Sequence, residues 1–283
     1  MAAGRIGRAR APRSPSLQYP DVAKYIRYRA GAAVSYGILD GDTVHEIRGG
    51  LFGHTVTGAT LPVSQVALLY PCEPTKMLGV GLNYRSHLGA RPQPLHPEMF
   101  YKPLTALQVP EGPIEIPRDA TDVHFEGEMV VVVGRKVSHA SREEAEAAIF
   151  GVTCGNDVSE RNWQHGAQKD LQWWRAKGAD TFAPLGPAVV TGLDFGHLRL
   201  QTRLNGEVVQ DQTTADLIFD CAEIVRWVSG WVTLLPGDAI YTGTPGNTRK
   251  MSPGDVVEVE LEGVGILRNP VGERAHSQDV PRL

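Results

Sequence analysis

The sequence predicts an α+β fold that is mainly β, closer to a β-rich roll than to alternating βαβ units. Three observations point there. Short β-branched runs recur, such as MVVVVG (129–134) and DVVEVELEG (255–263). Glycine and proline are plentiful, 31 and 20 of 283 residues, as frequent turns require. Few stretches carry helical spacing, too few for a βαβ succession.

In chain order, residues 1–20 are expected to form a disordered basic tail carrying Arg5, Arg8, Arg10 and Arg13. It has no apolar core of a secretory signal, and an organelle transit peptide is the weaker alternative. Residues 21–70 read as a small N-terminal domain. In it Asp40-Gly41 turns a hairpin between AVSYGI and TVHEI. A composition break at Tyr70-Pro71-Cys72-Glu73-Pro74 ends this unit, and residues 71–283 hold the longer strands and the dense motifs. Ser141, with Glu144 three residues on, opens a helix with a capping-box pattern. LNGE (204–207) is a second hairpin turn, and TADLIFDCAEIVRWVSGWV (214–232) reads as two helices broken near Asp220.

Composition narrows the function classes. A net charge of −4 leaves no electrostatic footprint for nucleic acid. No apolar run approaches the roughly 18 residues of a membrane span. Cys72, Cys154 and Cys221 form neither a disulfide framework nor a metal-finger spacing, so a reducing, cytoplasmic compartment is expected.

The sharpest local feature is His124-Phe125-Glu126-Gly127-Glu128, which runs into the valines. Residues i and i+2 of a strand share a face, so Glu126 and Glu128 present two carboxylates side by side. Like charges at the mouth of a buried sheet repel, and a hard cation with oxygen ligands resolves that. A solvent-facing strand end explains the motif equally well. Asp157 follows an apolar strand in CGND, where it reads either as a site acid or as a turn or cap aspartate.

Eight segments occur in a fixed order: GVGLNYRSH (79–87), FYKPLTAL (100–107), HFEGEMVVVVGRK (124–136), GNDVSERNWQ (155–164), KGADTFAPLGPAVVT (177–191), LNGEVVQ (204–210), LLPGDAIYTGTPG (234–246) and SPGDVVEVELEGVGILRNPV (252–271). Together they resemble the fumarylacetoacetate hydrolase family over roughly residues 70–270. The resemblance implies a roll of mixed β-sheets behind a small N-terminal domain, usually as a homodimer. It implies Mg²⁺ or Mn²⁺ on Glu126, Glu128 and Asp157, with Ca²⁺ as a stand-in in a crystal. It implies a small-molecule 2-oxo or 2,4-dioxo acid as substrate, cleaved, decarboxylated, isomerised or tautomerised through a metal-stabilised enolate. Lys177 matches a catalytic lysine that supports the oxyanion. Arg161 and Gln164 match positions lining the substrate site. Thr244 matches a threonine near the substrate carboxylate, and Lys102 a lysine that approaches on lid closure.

The chain also departs from the family pattern. Many members carry N-Y-x-x-H-x-x-E in a lid helix, where the glutamate orients a histidine base. Here His87 is present but the acid position holds Ala90, so Glu98 is considered as a replacement. The loop GTPGNTRKMSPGD is short and carries Arg249 and Lys250, read as solvated more readily than as substrate contacts. Trp173 and Trp174 are candidates for an aromatic wall or for core and interface positions. The leading expectation is C–C cleavage of an acylpyruvate-like acid. The alternatives are an isomerase, tautomerase or decarboxylase of oxaloacetate or hydroxymuconate-like acids, and a non-catalytic keto-acid-binding protein.

Overall fold

A run of four valines has no polar alternation, so a strand built from it must be buried on both faces. The strand Gly127–Val133 is so buried along its whole length. Met129, Val131 and Val133 point to one core, with Leu200, Val259 and Leu261. Val130 and Val132 point to the other, with Tyr25, Leu185 and Tyr241. This two-sided position is the centre of the molecule, seen in a computed structural model that describes residues 22–274. The basic tail expected over residues 1–20 lies outside the described residues.

The central strand belongs to a 12-stranded mixed sheet. On one side it pairs antiparallel with Ile149–Asn156, which pairs in turn with Ala183–Val190. On the other it pairs with Ala239–Tyr241, which runs parallel to Met77–Gly81; Glu98–Lys102 follows as the edge. The N-terminal strands Lys24–Ala30, Ala33–Asp40, Thr43–Gly50 and Gly53–Pro62 extend the same sheet, because Lys24 and Tyr25 pair with Val190 and Val189. A second, five-stranded sheet contains Arg199–Leu204, Glu207–Thr213, Val256–Leu261, Gly265–Glu273 and Ile114–Ile116, and its inner face fills the first core. Sheets predominate and helices are short, so the chain is mainly β with mixed sheets.

Both expected hairpins form, between Asp40 and Thr43 and between Leu204 and Glu207. The capping box closes as expected: Glu144 N–H donates to Ser141 Oγ at 3.2 Å and Ser141 N–H to Glu144 Oε2 at 2.9 Å. The stretch 214–232 differs from expectation. Its first part is only the 3₁₀ turn Thr214–Asp216, and the single α-helix Cys221–Ser229 begins at Asp220, whose carboxylate accepts Glu223 N–H. Asp220 caps one helix rather than dividing two. Among the described residues, no helix is long and apolar enough to cross a membrane.

Candidate metal centre and active site

Glu126 and Glu128 share the phase of Val130 and Val132, and the strand Ile149–Asn156 lies antiparallel beside them with Gly127 opposite Asn156. The next residue, Asp157, donates its N–H to Glu126 O at 2.9 Å, which brings its carboxylate to the same place. One oxygen from each of Glu126, Glu128 and Asp157 lies within 4.8 Å of the others. All three residues are buried, at 5%, 1% and 1% exposure. Gly127 separates the glutamates because a Cβ there would lie 2.0 Å from Thr202 Oγ1. Across the pair, a Cβ on Gly155 would meet Val130 and Tyr241 at 2.4 and 2.5 Å.

Three cations enter the cluster from three elements. Lys177, in the helix Trp174–Gly178, donates from Nζ to Glu126 Oε2 at 2.7 Å and Asp157 Oδ2 at 2.6 Å. Lys102, at the end of the strand Glu98–Lys102, donates to Asp157 Oδ1 at 2.5 Å and to Lys177 O. Arg161 lies 2.6 Å from Glu126 Oε1 through Nη1, which also donates to Gln164 Oε1 at 2.6 Å. Glu160 caps the helix Arg161–Gln164 by accepting Trp163 N–H, so Arg161 and Gln164, three residues apart, share a face. In this structure Lys102 is buried on a strand and already paired with Asp157.

The charges are unevenly matched. Burial opposes ionisation of Glu126, yet Lys177 and Arg161 hold its carboxyl well below the usual range. Burial, with Asp157 and Glu126 alongside, pushes Glu128 well above it. Glu128 accepts one hydrogen bond, from Gly243 N–H at 2.7 Å, and among the described residues no lysine or arginine is within ion-pair distance of it. A buried carboxylate without a cation is costly. The donor set, three carboxylates with one left uncompensated, fits a hard divalent cation of the Mg²⁺ or Mn²⁺ class.

His87 lies on the four-residue helix Arg85–Leu88, which Gly89 ends at φ +57°. Asn83 fixes its entry through bonds to Phe219 O, Thr242 O and Phe219 N. The histidine's Nδ1 meets Gly246 O at 2.5 Å. A carbonyl only accepts, so Nδ1 carries the proton and Nε2 is free to act as a base. Burial lowers the His87 pKa below its ordinary 6.5. Glu98 does not replace the missing acid: it is exposed and lies 3.7 Å from His96.

A cavity of about 100 Å³ joins His87 to the Glu126 side of the cluster, lined among others by His87, Arg91, Arg161, Gln164, His165 and Trp173. Glu126, Lys177 and Thr244 also line it. Thr244 donates its hydroxyl proton to Gly127 O at 2.9 Å and accepts from Gln210 at 2.9 Å, so it faces the cavity as an acceptor. Trp173 forms the aromatic wall, edge-on to Phe100 and His165. Trp174 is 67% exposed beside a separate cavity of about 770 Å³ that contains none of the three carboxylates. Arg249 pairs with Glu207 at 2.7 Å, away from the site. Sequence reasoning missed Arg91, His165 and Gln210. None of the three left a sequence signal; Gln210 is buried after a bulge that interrupts the alternation of Glu207–Thr213.

Comparison with known proteins follows the same order as the geometry. A profile of the fumarylacetoacetate hydrolase C-terminal domain matches residues 76–272, and one described as Rv2993c-like, N-terminal matches residues 23–71. Protein Rv2993c of Mycobacterium tuberculosis is 44% identical over 252 residues, covering 84% of this chain and 94% of that protein. The mitochondrial oxaloacetate tautomerase FAHD2A of Bos taurus is 39% identical over 224 residues, covering 75% of this chain and 71% of that one. Among solved structures, 5-carboxymethyl-2-hydroxymuconate delta-isomerase from Mycobacterium smegmatis superposes with a TM-score of 0.83 at 41% identity, over 89% of this chain and 100% of its own.

Proposed function

Because the chain belongs to the fumarylacetoacetate hydrolase family, we propose that it is a divalent-metal-dependent isomerase or tautomerase of a small 2-oxo dicarboxylic acid. The observation that carries this reading is the Nδ1 contact of His87 with Gly246 O, where a lid acid is missing at Ala90. A carboxylate partner orients an imidazole and also stabilises the imidazolium that forms when water is deprotonated. A neutral carbonyl orients it and stabilises the imidazolium more weakly. His87, its pKa lowered by burial, is thus a weaker base than a carboxylate-paired histidine, sufficient for an acidic carbon beside a polarised ketone and less suited to generating hydroxide from water. This shifts weight from C–C cleavage, the leading expectation from sequence, to proton transfer. Two relatives are a tautomerase and an isomerase by name and others are hydrolases, so the shift rests on the His87 geometry.

Glu126, Glu128 and Asp157 would hold the cation, which supplies Lewis-acid polarisation of the keto oxygen. In this reading His87 Nε2 takes the proton from the carbon next to the ketone. The Lys177 ammonium, held charged despite burial by Asp157 and Glu126, hydrogen-bonds the oxygen on which charge builds. The imidazolium returns its proton to that oxygen for tautomerisation, or to a vinylogous carbon for isomerisation. With Glu126, Glu128 and Asp157 all ionised around a cation, Lys102, Lys177 and Arg161 balance their three charges. A divalent cation leaves two positive charges, the complement of a dicarboxylate, and Arg91 at the cavity wall favours the same substrate class.

The test is a screen of 2-oxo and 2,4-dioxo acids with Mg²⁺ or Mn²⁺ and product identification. Enol–keto or double-bond exchange, abolished by EDTA and without cleavage products, is expected. Cleavage as the dominant reaction would restore the hydrolase reading, and no turnover of any acid would favour a binding protein.

A further inference from the structure

The two places where the chain departs from the family pattern touch one another. Loop 244–250 is pinned at its start by Gln210, whose Nε2 donates to Thr244 Oγ1 at 2.9 Å and Pro245 O at 2.6 Å. In its middle, Gly246 adopts φ +58°, donates its N–H to Ser86 Oγ at 3.2 Å and offers its carbonyl to His87. At its far end, Thr248 Oγ1 accepts from Arg161 Nη2 at 2.7 Å and lies 3.0 Å from His124 Nδ1. His124 Nε2 lies 2.9 Å from Asp122 Oδ1. The Asp122 carboxylate only accepts, so Nε2 carries the His124 proton and Nδ1 accepts the Thr248 hydroxyl proton. Every donor then has an acceptor, in one direction, from Arg161 through Thr248 and His124 to Asp122. Arg161 is at the same time the partner of Glu126.

We propose that loop 244–250 replaces the missing lid acid, with Thr248 as the positioning residue that locks the Gly246 carbonyl onto His87. A backbone carbonyl on an unanchored loop could not hold an imidazole in one orientation. Here the loop is fixed on both sides of Gly246, at Thr244 and Pro245 before it and at Thr248 after it. The absence of a carboxylate at Ala90 and the short GNTRK loop are therefore one arrangement, not two separate losses. The kinetic consequence rests on the reading of His87 as the base, but the structural claim does not.

The experiment compares Thr248→Val, which keeps shape and loses the hydroxyl, with Thr248→Ser, which keeps it. With ¹⁵N-labelled histidine, the wild-type protein is expected to show a slowly exchanging His87 Nδ1–H, assigned by its loss in His87→Gln. Thr248→Val should accelerate that exchange by 10-fold or more and lower kcat on oxaloacetate by about 10- to 100-fold, as misplacement of a catalytic group does. KM should move much less, since Glu126 and Gln164 still hold Arg161. Thr248→Ser should restore both readouts. A wild type without the Nδ1–H signal, a Val variant with unchanged exchange, or a Ser variant as impaired as Val would overturn the proposal. Slow exchange that depends on Thr248 in a protein turning over no 2-oxo acid would leave the loop assignment standing and remove the proposed reaction. Turnover with Thr248-independent exchange would do the reverse.

Discussion

Replacing Lys177 with methionine keeps an unbranched stem of similar length and removes one buried charge. The ammonium is 3% exposed and the carboxylates it meets at 2.7 and 2.6 Å are 7% and 2% exposed, so these are buried pairs and not surface pairs. Breaking a buried pair from one side costs about 3–5 kcal/mol, against 0–1 for an exposed one. Arg161 still holds Glu126 and Lys102 still holds Asp157, so the cost belongs near the lower end, about 3 kcal/mol. For a domain of this size that is a fall of roughly 6–12 °C in Tm. A divalent cation shared by the carboxylates should offset much of it, since ligand at 100 times its Kd adds about 2.7 kcal/mol. The assay is thermal unfolding of the EDTA-treated Lys177→Met variant, with and without excess Mn²⁺, beside the wild type. Turnover should fall by about 10²- to 10³-fold even with metal, because the donor to the developing oxyanion is gone. A Tm within 2 °C of the wild type, or no response to Mn²⁺, would refute this accounting of the buried charges.

Other outcomes follow from the same geometry. Burial lowers the His87 pKa below 6.5, so the neutral base prevails at pH 7 and kcat/KM should lose activity only as pH falls below about 6.5. A pH–rate profile with its acid limb above pH 7 would contradict this. Arg91→Gln should weaken kcat/KM for a 2-oxo diacid by about 10-fold and leave its monoester nearly unaffected, the modest size reflecting an exposed guanidinium. Equal loss on both substrates would remove the arginine from carboxylate recognition. Glu98→Gln should leave kcat and KM within about twofold, as an exposed substitution away from the site does; a large fall in kcat would reinstate it as the partner of His87.

The parts of the molecule legible in the sequence are those coded by side-chain period or local turn chemistry. The alternation in EGEMVVVV placed both glutamates on one face, and CGND ended the neighbouring strand at Asp157 beside them. The hairpin turns and the Ser141 capping box were readable for the same local reason. Contacts set by long-range pairing were not. Nothing around Tyr25 announces that it pairs with Val189, so the sequence marks the N-terminal unit, which a separate profile also matches over residues 23–71, but not that its strands continue the main sheet. The burial of Lys102 was not readable either, because it depends on the strand pairing of Met77 with Lys102. The partner of His87 was invisible for a deeper reason. It is a main-chain carbonyl, and a search for a carboxylate led to Glu98, which the fold directs to solvent near His96.

The account depends most on Glu126, Glu128 and Asp157 forming one cation site, and calorimetric titration of Mn²⁺ into the EDTA-stripped protein tests that directly. Glu128 is the informative position, because among the described residues it is the carboxylate of the three without a lysine or arginine at ion-pair distance. One Mn²⁺ per chain is expected for the wild type, with affinity about 100-fold or more weaker in Glu128→Gln. No binding by the wild type, or equal affinity in the variant, would contradict the metal site and the chemistry built on it.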